Sequence, residues 1–249
     1  MKLLAFLITF SVGVLLLTAS LDMPDWSNPE SPASTHLSPH YIEKSLEETS
    51  VPNLVTSVLA DYRGYDTMFE TVVIFCAGIT VLLILRRTFM GIEKYVHPRP
   101  RRESADIILK SAVRLLVPVM QVFALYVVAH GHHSPGGGFQ GGVIFGASFI
   151  LLAIAWNLNT ELKQFRENRI LIFSVVGVLI YAGIGIACLL LDENFLAYAA
   201  LAKILGISEV EAHSLGMLGV EIGVAITVMA IMFSLYADLS SSGDLDEGL

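Results

Sequence analysis

Apolar residues along this chain gather in six long blocks separated by polar stretches, at about 3–21, 68–85, 107–129, 142–158, 170–191 and 212–236. Each block reaches the roughly 17–25 residues that a ~30 Å hydrocarbon layer requires of a helix. The pattern predicts an all-α, polytopic membrane protein with about six transmembrane helices. Lys2 and the run LLAFLITFSVGVLLLTAS after it also resemble a secretory signal peptide. The length of that run, and the membrane character of the rest of the chain, favour a retained span.

The polar stretches divide the chain. Residues 22–60 are polar, acidic and rich in Pro, Ser and Thr, and read as an extended loop without a core of its own. HPRPRRE at 97–103 carries Pro98 and Pro100, which prevent a continuous helix. The chain thus parses into a two-span segment (residues 1–96), a basic linker (97–104) and a four-span segment (residues 105–249) with an acidic tail. FLAYAALAKIL at 195–205, before Gly206, predicts a short interfacial helix.

Charge adds orientation. With the N-terminus inside and six spans alternating, twelve basic residues face inward: Lys2, Arg86, Arg87, Lys94, Arg99, Arg101, Arg102, Lys110, Arg114, Lys163, Arg166 and Arg169. Only Lys44, Arg63 and Lys203 face outward. The positive-inside rule therefore predicts both termini in the cytoplasm and a multi-pass protein of the cell (inner, cytoplasmic) membrane. Composition agrees: 15% of residues are charged, against about 25% in soluble domains. The basic residues are clustered and not interleaved with aromatics, which argues against nucleic-acid binding. Cys76 and Cys188 each sit inside an apolar block, too few for a disulfide framework or a zinc or iron–sulfur site. No metal or cofactor site is expected.

The most distinctive stretch is HGHHSPGGGFQGG, 130–142. Gly136, Gly138 and Gly141 satisfy G-x-G-x-x-G, with Glu161 further on. The stretch comes after a membrane helix rather than a strand, so a dinucleotide site is rejected. A tight turn is the physical reading: Pro135 stops the third span, Gly136, Gly137 and Gly138 permit positive φ, and Gly142 with Gly146 offers a small face for helix packing. Backbone carbonyls lining an ion path are the alternative. His130, His132 and His133 sit together at the interface, where a merely interfacial role is the first reading and proton handling is favoured over metal binding.

Several ionisable residues are candidates for an ion or proton path. Asp61, Asp66 and Glu70 cluster where the second span begins. Thr67-x-x-Glu70 also reads as a capping box, and Asp66 suits the helix dipole. Ser208-x-x-Glu211 is a second capping box, so the last helix starts near 209 and puts Glu221 near mid-membrane. A charged acid there costs about 2.5–3.5 kcal/mol, and Gly219 and Gly223 let another helix approach it. Lys110, Arg114 and Gln121 share a stripe on the third span. The first two read as snorkelling cations, and Gln121 should pack against another helix. The path candidates are Glu221, Glu70, Asp66, Asp61 and His130, with Lys110 weaker. No nucleophile–base pair emerges, so an enzyme active site is not expected.

Two stretches carry a family resemblance. HGHHSPGGGFQGGVIFGASFILLAIAW (130–156) resembles the signature of the B subunit (MnhB-like) of Mrp-type multisubunit sodium/proton antiporters, a domain that also occurs in membrane-bound hydrogenase complexes. NLVTSVLADYRGYDTMFETVVIF (53–75) is similar to the C-terminal segment of the antiporter A subunit, a small separate subunit in the hydrogenase relatives. The resemblance covers roughly 51–237. It implies an all-helical subunit packed beside other membrane subunits of an Mrp-type or hydrogenase-type complex, moving Na+ or H+ and holding no cofactor. It leaves open whether the complex is an antiporter or a redox-coupled pump.

Overall fold

A computed structural model describes residues 2–89, 107–156 and 167–241. The basic linker at 97–104, Glu161, six of the twelve inward-facing basic residues and the acidic tail lie outside the described residues. Six helices are long and apolar enough to cross a membrane, and among the described residues there is no strand. They are α1 (Lys2–Ser20), α4 (Gly64–Phe89), α5 (Ile107–Ala129), α6 (Gly138–Trp156), α7 (Glu167–Leu190) and α9 (Glu209–Ser241). The shorter helices are α2 (Ser38–Thr49), α3 (Leu54–Ser57) and α8 (Ala202–Leu205).

Two compact units divide the chain, Met1–Lys44 and Ser45–Leu249. The first holds α1, an irregular stretch, the π-helical turn Ala33–Leu37 and the start of α2. The second is a bundle with α9 at its centre, packed against α4, α6 and α7, while α5 packs on α6. Tyr181, Met217, Val220, Val224 and Val228 form the core of this bundle. At 33 residues, α9 is about 50 Å long at 1.5 Å per residue, so it outlasts the hydrocarbon layer.

Small residues let α9 approach its neighbours. A Cβ on Gly142 would lie 2.7 Å from the Ala225 carbonyl, and one on Gly177 would lie 2.4 Å from that of Gly223. In lipid, where apolar burial gives helices little reason to associate, such close packing supplies the attraction. Thr227 adds a hydrogen bond from Oγ1 to the Ser174 carbonyl at 3.2 Å. Gln121 reaches α6, its Nε2 donating to Ser148 Oγ at 3.2 Å, as expected of a buried amide. Arg114 lies 5.6 Å from the Trp156 ring centroid, a cation–π contact at the end of the bundle.

Two local expectations fail. The first concerns residues 22–60, which are not one extended loop. Residues 33–49 and 54–62 are helical, and Val51, Thr56, Ser57 and Ala60 are buried. Asn53 starts this packed cap by accepting the Val55 amide at its side chain, and the π-helical turn Val58–Tyr62 completes it. The second is the Thr67–Glu70 capping box. α4 already begins at Gly64, so Thr67 is inside the helix, and its hydroxyl donates to the Leu59 carbonyl at 2.7 Å. The other capping box forms: the Ser208 amide donates to Glu211 Oε2, and the Glu211 amide donates to Ser208 Oγ. The short helix expected at 195–205 also forms, as the 3₁₀ turn Tyr198–Leu201 running into α8 and ending at Gly206 with φ of 68°.

Candidate functional site

The site lies where the turn 130–137, α9 and the cap 51–63 meet. α5 ends at Ala129, and Gly136 and Gly137 adopt φ of 151° and 134°, backbone that side-chain-bearing residues rarely take. Those angles turn the chain directly into α6 at Gly138. The turn sits hard against α9: a Cβ on Gly138 would come within 2.0 Å of the Glu221 carbonyl oxygen. The Glu221 carboxylate fits into a cradle made by two other glycines. A Cβ on Gly137 would lie 2.7 Å from Oε1, and one on Gly131 would lie 2.9 Å from Oε2. Glu221 is thus level with the ends of α5 and α6, beneath the cap. The expectation of a mid-membrane position came from α9 alone and not from the helices packed on it.

Glu221 is 8% exposed, and its Oε2 has no hydrogen-bond partner. Opposite it, 4.0 Å away, lies His132 Nε2, equally buried and equally unpartnered. The other ring nitrogen, Nδ1, is 3.2 Å from Ser214 Oγ, one face and two turns back along α9 from Glu221. Burial, with His133 beside it, holds the His132 imidazole below the usual histidine range. Beside Glu221 opens a cavity of about 160 Å³, room for several water molecules. Thr56, Thr67, Glu70, Gln140 and Glu221 supply its polar lining. Glu70 stands on the exposed side of α4 and Glu221 at the buried end, so the cavity joins a surface carboxylate to an interior one.

The cap is fastened over this site by long-range bonds. Asn53 Nδ2 donates to the Gly131 and Ser134 carbonyls at 2.7 and 2.8 Å, and the Asn53 amide donates to the His132 carbonyl. Thr56 Oγ1 donates to the Gly131 carbonyl at 2.8 Å. Tyr198 and Tyr181 donate to the Ala60 and Gly64 carbonyls, each at 2.7 Å. Burial first, and neighbouring Tyr181 and Asp61 after it, drive the Tyr198 phenol far above its ordinary range, so it stays a donor. Asp61 Oδ2 meets His213 Nδ1 of α9 at 2.6 Å.

The candidates read from the sequence therefore separate. Glu221 and Glu70 border the cavity, and Asp61 is in the cap, paired with His213. Asp66 pairs with Arg63 on the exposed first turn of α4. His130 is exposed and stacks on Tyr126 at 4.3 Å. Lys110 is in the first turn of α5, at the far end of that helix from the turn. Pro135, Gly136, Gly137, Gly138, Gly141 and Gly142 all belong to the turn and its packing. A Cβ on Gly141 would strike Val128 at 2.3 Å. The sequence does not single out Asn53, Ser214 or His213, and it shows His132 only as one of three histidines. Ser214 and Glu221 share a helical face, seven residues apart, which is a usable signal. Among the described residues no group of His, Cys, Asp and Glu is arranged to hold a metal ion.

Comparison with known proteins adds relatives. The family described as "Domain related to MnhB subunit of Na+/H+ antiporter" matches residues 108–234, and the family of the MBH E subunit matches residues 6–102. Antiporter subunit mnhB2 of Staphylococcus aureus (strain Newman) is 34% identical over 131 residues, 50% of this chain and 92% of that protein. Two solved structures share the fold at 22% identity. One is a chain of the membrane-bound sulfane sulfur reductase, an archaeal respiratory membrane complex, with a TM-score of 0.59, covering 93% of this chain and 97% of that one. The other is a chain of the Mrp complex from Dietzia sp. DQ12-45-1b, with a TM-score of 0.63, covering 99% of this chain and 26% of that one.

Proposed function

We propose, because the chain belongs to the family of domains related to the MnhB subunit of Na+/H+ antiporters, that it is a multi-pass membrane subunit of a multisubunit complex exchanging Na+ for H+. It has no active site of its own and contributes to the ion-translocation module and its assembly. Other membrane subunits are its partners. The observation that carries a direct role in translocation is Glu221, a buried carboxylate with an unpartnered oxygen, bordering a cavity that leads to Glu70. A structural carboxyl would normally have its oxygens hydrogen-bonded. Glu221, Glu70 and Asp61 form the path, while Asp66, His130 and Lys110 lie outside that cluster. The two-span segment (residues 1–96) and the four-span segment (residues 105–249) act as two fused modules joined at 97–104, with both termini cytoplasmic, in keeping with the twelve inward basic residues.

A second reading has an observation in its favour. The match of residues 6–102 to the MBH E subunit and the fold shared with a respiratory membrane complex fit a subunit in the ion-translocating arm of a redox complex. Purifying the tagged chain from native membranes separates the two. Co-purification of antiporter subunits alone, with Na+-dependent proton exchange, supports the first. Co-purification with nickel or iron–sulfur subunits replaces it with the second, and a chain found alone and active overturns both.

A further inference from the structure

The geometry points to His132 as the proton partner of Glu221, the two residues passing one proton between Oε2 and Nε2, with Ser214 positioning the imidazole. This rests on Glu221 being part of the translocation path.

Two buried polar atoms in this site lack partners, and they face each other at 4.0 Å. Hydrogen bonds of this type close at about 2.7–3.2 Å, so a side-chain shift of about 1 Å joins the pair. In the transfer the O–H bond at Oε2 breaks and an N–H bond forms at Nε2. A neutral carboxyl and neutral imidazole become a carboxylate and an imidazolium. The pair's net charge is unchanged, so the buried site is not asked to take up a lone charge, which is the costly event in a protein interior. Oε1 faces the cradle of Gly137 on the cavity side, and Oε2 faces His132. A carboxyl protonated from cavity water on the Gly137 side turns about its Cγ–Cδ bond to bring that O–H to His132, and there releases the proton.

The same atoms are poorly suited to a bare sodium ion. Hard cations want several oxygen ligands, and imidazole nitrogen suits softer metals. Several of the turn's carbonyls already accept hydrogen bonds. Gly131 accepts from Asn53 and Thr56, His132 and Ser134 accept from Asn53, and Gly137 accepts from the Gly141 amide. Ser214 fixes the ring: the tautomer in which Nδ1–H donates to Ser214 Oγ leaves Nε2 as the bare nitrogen aimed at Glu221. The titratable groups around the pair are His133 in the turn, Glu70 on α4, Asp61 in the cap, His213 on α9, Tyr181 on α7 and Tyr198 in the 3₁₀ turn.

The test uses everted membrane vesicles carrying the whole complex, with Na+-driven proton movement followed by a pH-sensitive dye from about pH 5 to about pH 9, a range that reaches below the usual histidine value. His132→Gln keeps hydrogen bonding but cannot titrate. It should assemble normally and slow exchange about a hundredfold, the scale of losing a positioned acid–base group. It should also remove the fall in rate on the acid side, where a protonated His132 can no longer accept. Wild-type rates and pH profile in His132→Gln, with Glu221→Gln inactive, would overturn this inference and leave the path through Glu221 standing. Wild-type behaviour in both variants would remove both. If His132→Gln fails to assemble, Ser214→Ala decides. A displaced acid limb with normal complex levels supports the pairing, and an unmoved profile overturns it.

Discussion

Replacing Gly138 by alanine should separate α6 from α9 at the site itself. The added Cβ would stand 2.0 Å from the Glu221 carbonyl oxygen, 2.7 Å from its carbonyl carbon and 2.9 Å from its Cα. All three are backbone atoms, so no side-chain rotation relieves the clash, and the helices must part by about 1.4 Å to reach ordinary contact. A gap of that size forfeits about half or more of the dispersion attraction along it. In lipid that attraction is most of what holds helices together. Overpacking costs about 1–3 kcal/mol, and a backbone-on-backbone clash belongs at the top of the range. About 3 kcal/mol corresponds to more than a hundredfold loss in the packed-to-unpacked ratio. The same interface supplies a graded series. The Gly142 Cβ would be 2.7 Å from the Ala225 carbonyl, and the Gly146 Cβ would be 3.1 Å from the Met232 side chain. Assembled complex on native gels, and its melting temperature in detergent, should fall in the order Gly138→Ala, then Gly142→Ala, then Gly146→Ala. Equal behaviour of the three, or a Gly138→Ala complex as stable as wild type, would refute the close-approach argument.

Three further outcomes rest on the same geometry. Tyr198→Phe leaves the buried Ala60 carbonyl without its donor, so the complex should lose about 1–3 kcal/mol of stability; an unchanged melting temperature would mean the cap is not held there. Glu70→Gln should assemble normally and slow exchange, because it neutralises the outer carboxylate of the cavity; unaltered exchange at every pH would take Glu70 out of the path. With Cys76→Ser as background, cysteines placed at Trp26 and Leu239, 99% and 63% exposed, should label from opposite faces of the membrane; labelling from one face would contradict the orientation.

What the sequence discloses here depends on the range of each interaction. The six spans are legible because each is a local run whose length the bilayer dictates, and the Ser208–Glu211 box is legible because both partners lie within one turn. The cap at 51–63 reads as loop because its order comes from residues far along the chain: Asn53 bonds at Gly131 and Ser134, and Tyr198 bonds at Ala60. Asp61 and His213 are 152 residues apart, and neither hints at the other. The turn's glycines announce its geometry, but which of three histidines points inward depends on the path that Gly136 and Gly137 impose. That path buries His132 and leaves His130 outside. Glu221 stands out because a carboxylate in an apolar run is expensive, yet its depth is set by the helices beside it.

The most direct test of the account is Glu221→Gln in the intact complex, since the amide keeps the shape and hydrogen bonding of the carboxyl and removes only the titratable proton. Complex should accumulate at wild-type levels while Na+-driven proton exchange in everted vesicles falls by about two orders of magnitude at every pH. Normal assembly with full exchange across the pH range would contradict the account and leave Glu221 a packing residue.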